Sequence, residues 1–225
     1  EYGKSLCVDG AFALEIAEKV EAKIEELGGE LAFPADVSLN DVAAHYSPVV
    51  GDKLTLKKGD LVKIDIGVHI DGYLADTAAS VSVGKNTENE ELIVAGEKAL
   101  EEAIAILNPE AKLNAIGRAV SGSLAGSKVN IINNLRGHSM DKYLIHAGIS
   151  INNFEHDDAT VLKDMAVAIE PFTTYGAGWV IDAQGSQVYR IVNSKPLRVG
   201  KDILLHIAET YKTLPFSQRA LVKKF

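Results

Sequence analysis

Asp65 and Asp76 stand on either side of Asp71-Gly72, within Leu61–Val83, a stretch otherwise rich in strand-favouring residues. Asp-Gly between two such runs is a two-residue hairpin signal. With the turn centred there, paired positions sum to 143, so Asp65 lies opposite Ala78 and Asp76 is its diagonal neighbour on the same sheet face. The two Cα atoms would then be about 7–8 Å apart. A one-residue slip would send the carboxylates to opposite faces, so the arrangement depends on register. Side by side they repel unless a positive charge sits between them, and a divalent cation, or a pair of them, removes the conflict. Surface aspartates are common, and on the hairpin alone a solvated face with two incidental acids is the more frequent arrangement.

Six histidines are available to join them. His138, in Arg136-Gly-His-Ser, and His146, in Leu144-Ile-His-Ala-Gly, are eight residues apart around a loop or hairpin. One imidazole beside Asp65, Asp76 and a third carboxylate, Glu170, gives an oxygen-rich ligand set with one nitrogen and no sulfur, which suits Mn²⁺, Fe²⁺, Co²⁺ or Zn²⁺ better than a soft cluster. Taken singly, a histidine is more often a hydrogen-bonded loop residue. His156 in an acidic loop and His206 on a charged helix are read in that way, and His69, beside the turn, as pointing at solvent. His45, in Asn40-Asp-Val-Ala-Ala-His-Tyr, adjoins a proline-broken loop that could line a cleft. No serine or cysteine nucleophile is indicated: Cys7 has no histidine near it in sequence, and no Gly-x-Ser-x-Gly elbow occurs. Gly176-Ala-Gly178 lacks the rest of any phosphate-binding fingerprint.

The elements that must position these residues follow from periodicity. Phe12, Ile16, Val20, Ile24 and Leu27 form a helical stripe, with Asp9 as N-cap and Gly28-Gly29 as terminator. Leu31 to Asn40 reads as a short strand broken by Pro34. Helices are expected from about Glu88 to Leu107, from Leu113 to about Gly126 and from Asp202 to Tyr211. Val129-Asn-Ile-Ile reads as a strand, and a strand pair is expected between Met165 and Asp182. Lys58-Gly-Asp-Leu-Val-Lys-Ile-Asp65 and Lys163-Asp-Met-Ala-Val-Ala-Ile-Glu170 align without a gap, acid under acid, at an offset of 105. The same offset lays the helix near Gly10 over the helix near Ala115. Two similar helix-plus-sheet halves would bring Asp65 and Glu170 to related places; chance similarity of two strands explains the match about equally well.

At 225 residues, 47% of them hydrophobic and 24% charged, the chain can bury a substantial core, as one large domain or two small ones. Its net charge of −8 argues against an electrostatically driven nucleic-acid or membrane surface. Cys7 is the only cysteine, which excludes an internal disulfide and fits a reducing compartment. No apolar run approaches the roughly 20 residues that span a bilayer, and no signal-peptide pattern opens the chain. Glu1 and Phe225 are read as cut ends.

Phe33-Pro, Ser38-Leu-Asn with Ala43-Ala-His-Tyr, Lys63-Ile-Asp-Ile-Gly-Val-His with Asp76, Gly137-His-Ser with Ile145-His-Ala-Gly, and Ile169-Glu-Pro-Phe resemble, in order and spacing, successive motifs of the methionine aminopeptidases. Tyr189 to Phe225, including Tyr211-Lys-Thr-Leu-Pro-Phe, resembles the helical insertion of the type II enzymes of archaea and eukaryotes. The resemblance covers the chain from about Asp9 onward. It implies an α+β pita-bread fold, two pseudo-symmetric halves of helices around a curved antiparallel sheet. Residues 1–225 would form one incomplete catalytic domain, with the insertion at about 189–225. It further implies two divalent ions (Co, Mn, Fe or Zn). Asp65 would chelate one, Asp76 would bridge the pair, and His138 and Glu170 would hold the other. His45 and His146 would contact substrate and steady the tetrahedral intermediate, and Phe33 and Ile145 would line the methionine pocket. A metal-bridged hydroxide would attack the first peptide carbonyl, with Glu170 as general base. The implied substrates are peptides and nascent proteins in the cytoplasm, with ribosome association open and neither membrane nor nucleic acid as a partner.

The family's pattern has one more ligand, a glutamate near the C-terminus, and no glutamate after Glu170 stands in a matching context; Glu209 belongs to the insertion helix. The chain as given is therefore expected to hold its second metal poorly and to be weakly active or inactive. Two alternatives carry the same fold: a non-catalytic binding protein, and a proline-specific peptidase. Four of five ligands in place speak against the first, Ala-Ala-His-Tyr and the insertion against the second.

Overall fold

A computed structural model describes residues 1–183, 185–193, 195 and 199–225. In chain order its elements are α1 (Tyr2–Leu6), α2 (Ala13–Glu26), β1 (Glu30–Leu39), β2 (Leu61–Ile70), β3 (Tyr73–Ser82), α3 (Thr87–Ala105), α4 (Leu113–Ser123), β4 (Asn130–Ile131), β5 (Gly137–Met140), β6 (Ser150–Ile151), β7 (Ala166–Ala168), β8 (Thr173–Thr174), β9 (Val188–Tyr189), α5 (Lys201–Thr210), β10 (Phe216–Ser217) and α6 (Gln218–Lys224). The chain divides into two compact units. One is Glu1–Lys85 with Lys142–Ile145 and Gln184–Phe225; the other is Asn86–Asp141 with His146–Ala183.

The first unit is built on the antiparallel sheet β1-β2-β3. α2 turns Ala13, Ile16, Ala17, Val20 and Ile24 inward, and they share a core with Val37, Val62 and Ile64 of the sheet. Phe12 and Leu27, expected at the ends of that stripe, are exposed, because they are the two cap residues and lie outside the helical repeat. The N-cap is therefore Phe12, not Asp9, whose Oδ1 instead accepts the Lys58 N–H at 3.0 Å. Gly28, at φ +87°, ends the helix as expected.

β1 runs unbroken through Pro34, where a break was expected. Proline is tolerated because β1 is an edge strand, and its register with β2 shifts between Leu31 and Phe33 and again between Phe33 and Asp36. β2 and β3 pair over ten residues without a slip. Asp71 and Gly72 both have positive φ (51° and 86°), as a two-residue turn matched to strand twist requires. Of the insertion expected at about 189–225, α5 and α6 are helical and β9 pairs with β10, while 194 and 196–198 lie outside the described residues.

In the second unit, α3 is capped by Asn86, whose side chain accepts the Glu88 and Asn89 N–H groups, and α4 packs beside it. Ala99, Ala103, Ile116 and Val120 of these helices share a core with Ile151 and Leu162. The strands expected between Met165 and Asp182 are present as β7 and β8, but they do not pair with each other. β7 joins β5 and β8 joins β4. Pro171, between them, has no N–H to give to a hairpin ladder.

A common device recurs inside each unit. Ahead of α2, Ala13 N–H donates to Leu54 O and Leu56 N–H to Ala11 O; ahead of α4, Leu113 N–H donates to Thr160 O and Leu162 N–H to Ala111 O. Each helix start is thus laced to the segment that runs on into the strand leading to Asp65 or Glu170. The internal repeat is real at the level of connection, although the helix starts correspond at an offset of 100 and not of 105, because the intervening segments differ in length.

Candidate metal centre

The carboxylates of the first unit lie as the turn chemistry dictates. Asp65 pairs with Ala78 and Gly67 with Asp76, so Asp65 and Asp76 are diagonal neighbours on one face of the hairpin, both half-buried. Phe33 lies on that face as well, as the partner of Gly67 on β1. A Cβ on Gly67 would sit 2.2 Å from carbons of the Phe33 ring, so the glycine is what leaves room for the ring over β2.

His45 follows in the loop after β1. It is exposed, at φ +65°, a conformation that an ordinary side chain adopts only when its neighbours impose it. The neighbour is Tyr46, whose carbonyl accepts the Val37 N–H at 2.8 Å and whose hydroxyl donates to Asp52 Oδ2 at 2.8 Å. The His45 ring itself makes no hydrogen bond or ion pair among the described residues, and the structure does not tie it to the other predicted groups. Ile145 is half-buried in the short Lys142–Ile145 segment of this unit.

Two residues that the sequence reading passed over also belong here. Asp36 is the β1 partner of Asp65, and burial pushes it up to about 7, against the pull of the Arg219 guanidinium. Burial likewise raises Glu21, whose Oε1 accepts the Ala35 N–H and an Arg219 N–H. An acid inside an otherwise apolar strand was the available signal for Asp36. His69 corrects an expectation: it is 3% exposed, not solvent-facing. Its Nδ1 accepts the Gly72 N–H at 3.3 Å and its ring meets the Tyr143 ring edge-on, a partner 74 residues away that no local pattern could reveal.

In the second unit β5 is the central strand of β6-β5-β7 and carries His138 opposite Ala168. Two residues past Ala168 the chain reaches Glu170. Gly137 makes the approach possible, since a Cβ there would come within 2.2 Å of the Ala168 carbonyl oxygen. His146, exposed, sets its ring edge-on against that of His138, with centroids 4.3 Å apart. Asn153, fully buried, donates from Nδ2 to the Glu170 carbonyl at 2.6 Å and to the Leu135 carbonyl at 3.2 Å. One amide thus braces the segment before His138 and the segment bearing Glu170. Its partners lie 18 and 17 residues away in sequence, beyond the reach of any local pattern.

Glu170 Oε1 is buried and lies 3.0 Å from His138 Nε2, yet it has no hydrogen-bond partner. The contact between them does not have the geometry of a hydrogen bond. Two ligand atoms each about 2.1 Å from one cation, at a right angle, would stand about 3.0 Å apart in that manner. The pair fits a cation and is poorly explained as an ordinary ion pair. His156 and His206 take no part: the first accepts the Asp158 N–H, and the second contacts Thr210, Tyr211 and Phe225.

Comparison with known proteins agrees with this chemistry. The family model described as metallopeptidase family M24 matches residues 4–205. A methionine aminopeptidase of Pyrococcus horikoshii is 44% identical over 225 residues, covering 98% of this chain and 76% of that one. Among solved structures, methionine aminopeptidase from Thermotoga maritima superposes with a TM-score of 0.75 at 24% identity, covering 81% of this chain and 77% of its own. A thermophilic Arx1 reaches 0.80 at 18% identity over 97% of this chain and 71% of its own. At such identities the two structures speak for the fold alone, which is the α+β pita-bread type. Fold, ligand chemistry and sequence point the same way, and the chain belongs to metallopeptidase family M24.

Proposed function

We propose that this chain belongs to a metal-dependent aminopeptidase of the type II kind that removes the N-terminal methionine from peptides and nascent proteins, with residues 1–225 lying within one catalytic domain. The observation that carries the reading is the buried Glu170 Oε1, which stands 3.0 Å from His138 Nε2 yet has no hydrogen-bond partner. The 44% identity to a methionine aminopeptidase supplies the substrate class.

Asp65 and Asp76 from the hairpin, with His138 and Glu170, would hold two ions of Mn, Co, Fe or Zn; Asp76, His138 and Glu170 each offer one ligand atom to such a centre. Cations bound there would lower the pKa of water and polarise the carbonyl under attack. The remaining work falls to the chain's own groups. Glu170 takes the proton that the attacking water gives up. His146 donates a hydrogen bond to the carbonyl oxygen as negative charge develops on it. His45 contacts the substrate from the loop after β1, and Phe33 and Ile145 line an apolar pocket that accepts an unbranched thioether side chain. We place this activity in the cytoplasm, on chains emerging from the ribosome; no helix among the described residues is long and apolar enough to cross a membrane.

The test is hydrolysis of Met-Gly-x peptides against x-Pro dipeptides by the full-length protein with Mn²⁺ or Co²⁺. Release of methionine from the first set, and its abolition by Asp76→Asn, is the expected outcome. Turnover near wild type in Asp76→Asn would remove Asp76 from the ligand set, and preference for x-Pro would make this a proline-specific peptidase.

A further inference from the structure

Lys142–Ile145 packs with the first unit although the chain on either side of it packs with the second. What fastens it is Tyr143. The Tyr143 N–H donates to the Gly72 carbonyl at 2.9 Å, and its own carbonyl accepts the Thr213 hydroxyl. Its ring lies so close over Gly72 that a Cβ there would stand 2.3 Å from a ring carbon. Lys212 Nζ lies 3.7 Å from the centre of the same ring, and the buried His69 ring meets it edge-on at 5.4 Å. Next to it, Lys142 Nζ is 4.9 Å from the centre of the Tyr73 ring. Tyr143 adopts φ +56°, a conformation that costs a bulky residue energy and persists only where the surroundings over-determine it. Here they do, on both sides of the backbone and around the ring.

Two residues after Tyr143 comes Ile145, and His146 follows directly. We propose that Tyr143 is a positioning residue for this pair: clamped between the β2–β3 turn and Lys212-Thr213, it fixes where the chain enters Ile145 and His146 and thereby sets how tightly the N-terminal side chain is selected. The inference rests on the pocket and oxyanion roles proposed above for Ile145 and His146. It gives the turn residues Gly72 and His69, and the Lys212-Thr213 loop far along the chain, a shared task that neither proximity in sequence nor metal binding assigns to them. The aromatic ring is what the clamp grips, so phenylalanine should serve in its place and alanine should not.

Two measurements on the full chain test it, one independent of activity. Hydrogen–deuterium exchange in peptides covering Met140–Ser150 should rise at least tenfold at Ile145, His146 and Ala147 in Tyr143→Ala and stay at the wild-type level in Tyr143→Phe. In parallel, Tyr143→Ala should lower kcat/KM on Met-Gly-x by between about tenfold and a hundredfold, the scale of a small misplacement of a positioned group. Its preference for Met over Leu at the first residue should narrow, with Mn²⁺ affinity by calorimetry within twofold of wild type. Should Tyr143→Ala not fold, Gly72→Ala, which drives a methyl group into the ring, must raise exchange at the same amides. Unchanged exchange in the variant that folds overturns the clamp, and so does a Mn²⁺ affinity that falls in step with kcat/KM. A full-length wild-type protein that releases no methionine while exchange responds as described overturns the functional reading instead, so the two failures are told apart.

Discussion

Gly137→Ala is the substitution from which the ligand geometry gives the sharpest number. The methyl group would come 2.2 Å from the Ala168 carbonyl oxygen and 3.2 Å from Ile169 Cα, both of them backbone atoms that cannot swing aside. The strands β5 and β7 must therefore part by about 0.8 Å, the difference between 2.2 Å and the 3.0 Å below which real Cβ contacts essentially do not occur. His138 is the next residue on one strand and Glu170 lies just past the end of the other, so the displacement reaches the pair directly. Transmitted in full, it opens their 3.0 Å contact to about 3.8 Å. With ligand bonds of about 2.1 Å, that changes the angle at a cation from about 90° to about 130°. An oxygen-rich, octahedral ion tolerates such an angle badly, and disturbances of this size in the support of metal ligands cost about 10–100-fold in affinity. Overpacking adds about 1–3 kcal/mol of fold destabilisation. Calorimetric titration of Mn²⁺ into metal-free protein reads the first quantity, and urea unfolding in EDTA the second. Mn²⁺ affinity within twofold of wild type, alongside the expected loss of stability, would refute the reasoning, because the spacing of β5 and β7 would then not govern a bound ion.

Two further outcomes follow from buried charge. Arg219, 3% exposed, reaches Glu21 Oε1 at 2.5 Å, and Arg219→Met should cost about 3–5 kcal/mol in urea unfolding near pH 7.5 by leaving Glu21 and Asp36 buried without their counter-charge. The double variant with Glu21→Gln should recover most of that, and a single-variant loss under about 1 kcal/mol would show the pair to be dispensable. Burial lowers the His69 pKa below its ordinary value, and its Nδ1 must stay unprotonated to accept the Gly72 N–H. Below its unfolded value of about 6.5 the unfolded chain binds the proton that the folded one refuses, so His69 costs stability progressively as pH falls from there. The melting temperature should drop between pH 7 and pH 5 less steeply in His69→Gln than in wild type, and equal slopes would remove His69 from the account.

What could be read ahead of the structure was what strand period and turn chemistry determine locally. Asp71-Gly72 fixed a register in which a side chain's face follows from parity alone, so the Asp65–Asp76 diagonal was legible to the residue. The helices around Ile16, Ala99 and Ile116 were legible for the same kind of reason. Legibility failed where position depends on partners distant in sequence. His69 looks like a solvent-facing turn neighbour until Tyr143 arrives from elsewhere in the chain to cover it. Asn153 looks like loop until its amide is seen bridging two carbonyls on different segments. The strands β7 and β8 were recognisable as strands, but their partners were not, since three- and two-residue strands carry too little pattern to specify a register.

The repeated tie between helix start and strand approach bears on how a ligand set can be built at all. A carboxylate confers no stability by sitting half-buried near others, so its place must be set by interactions that would exist without it. In the first unit the lacing of Ala11 and Ala13 to Leu56 and Leu54 fixes where the chain sets out toward Asp65; in the second, Ala111 and Leu113 with Leu162 and Thr160 do the same ahead of Glu170. All of these are backbone bonds beside buried apolar side chains, indifferent to the charge they deliver. Lys58–Asp65 and Lys163–Glu170 each follow such a laced segment, so changing Asp65 and Glu170 to amides should leave the backbone that carries them in place.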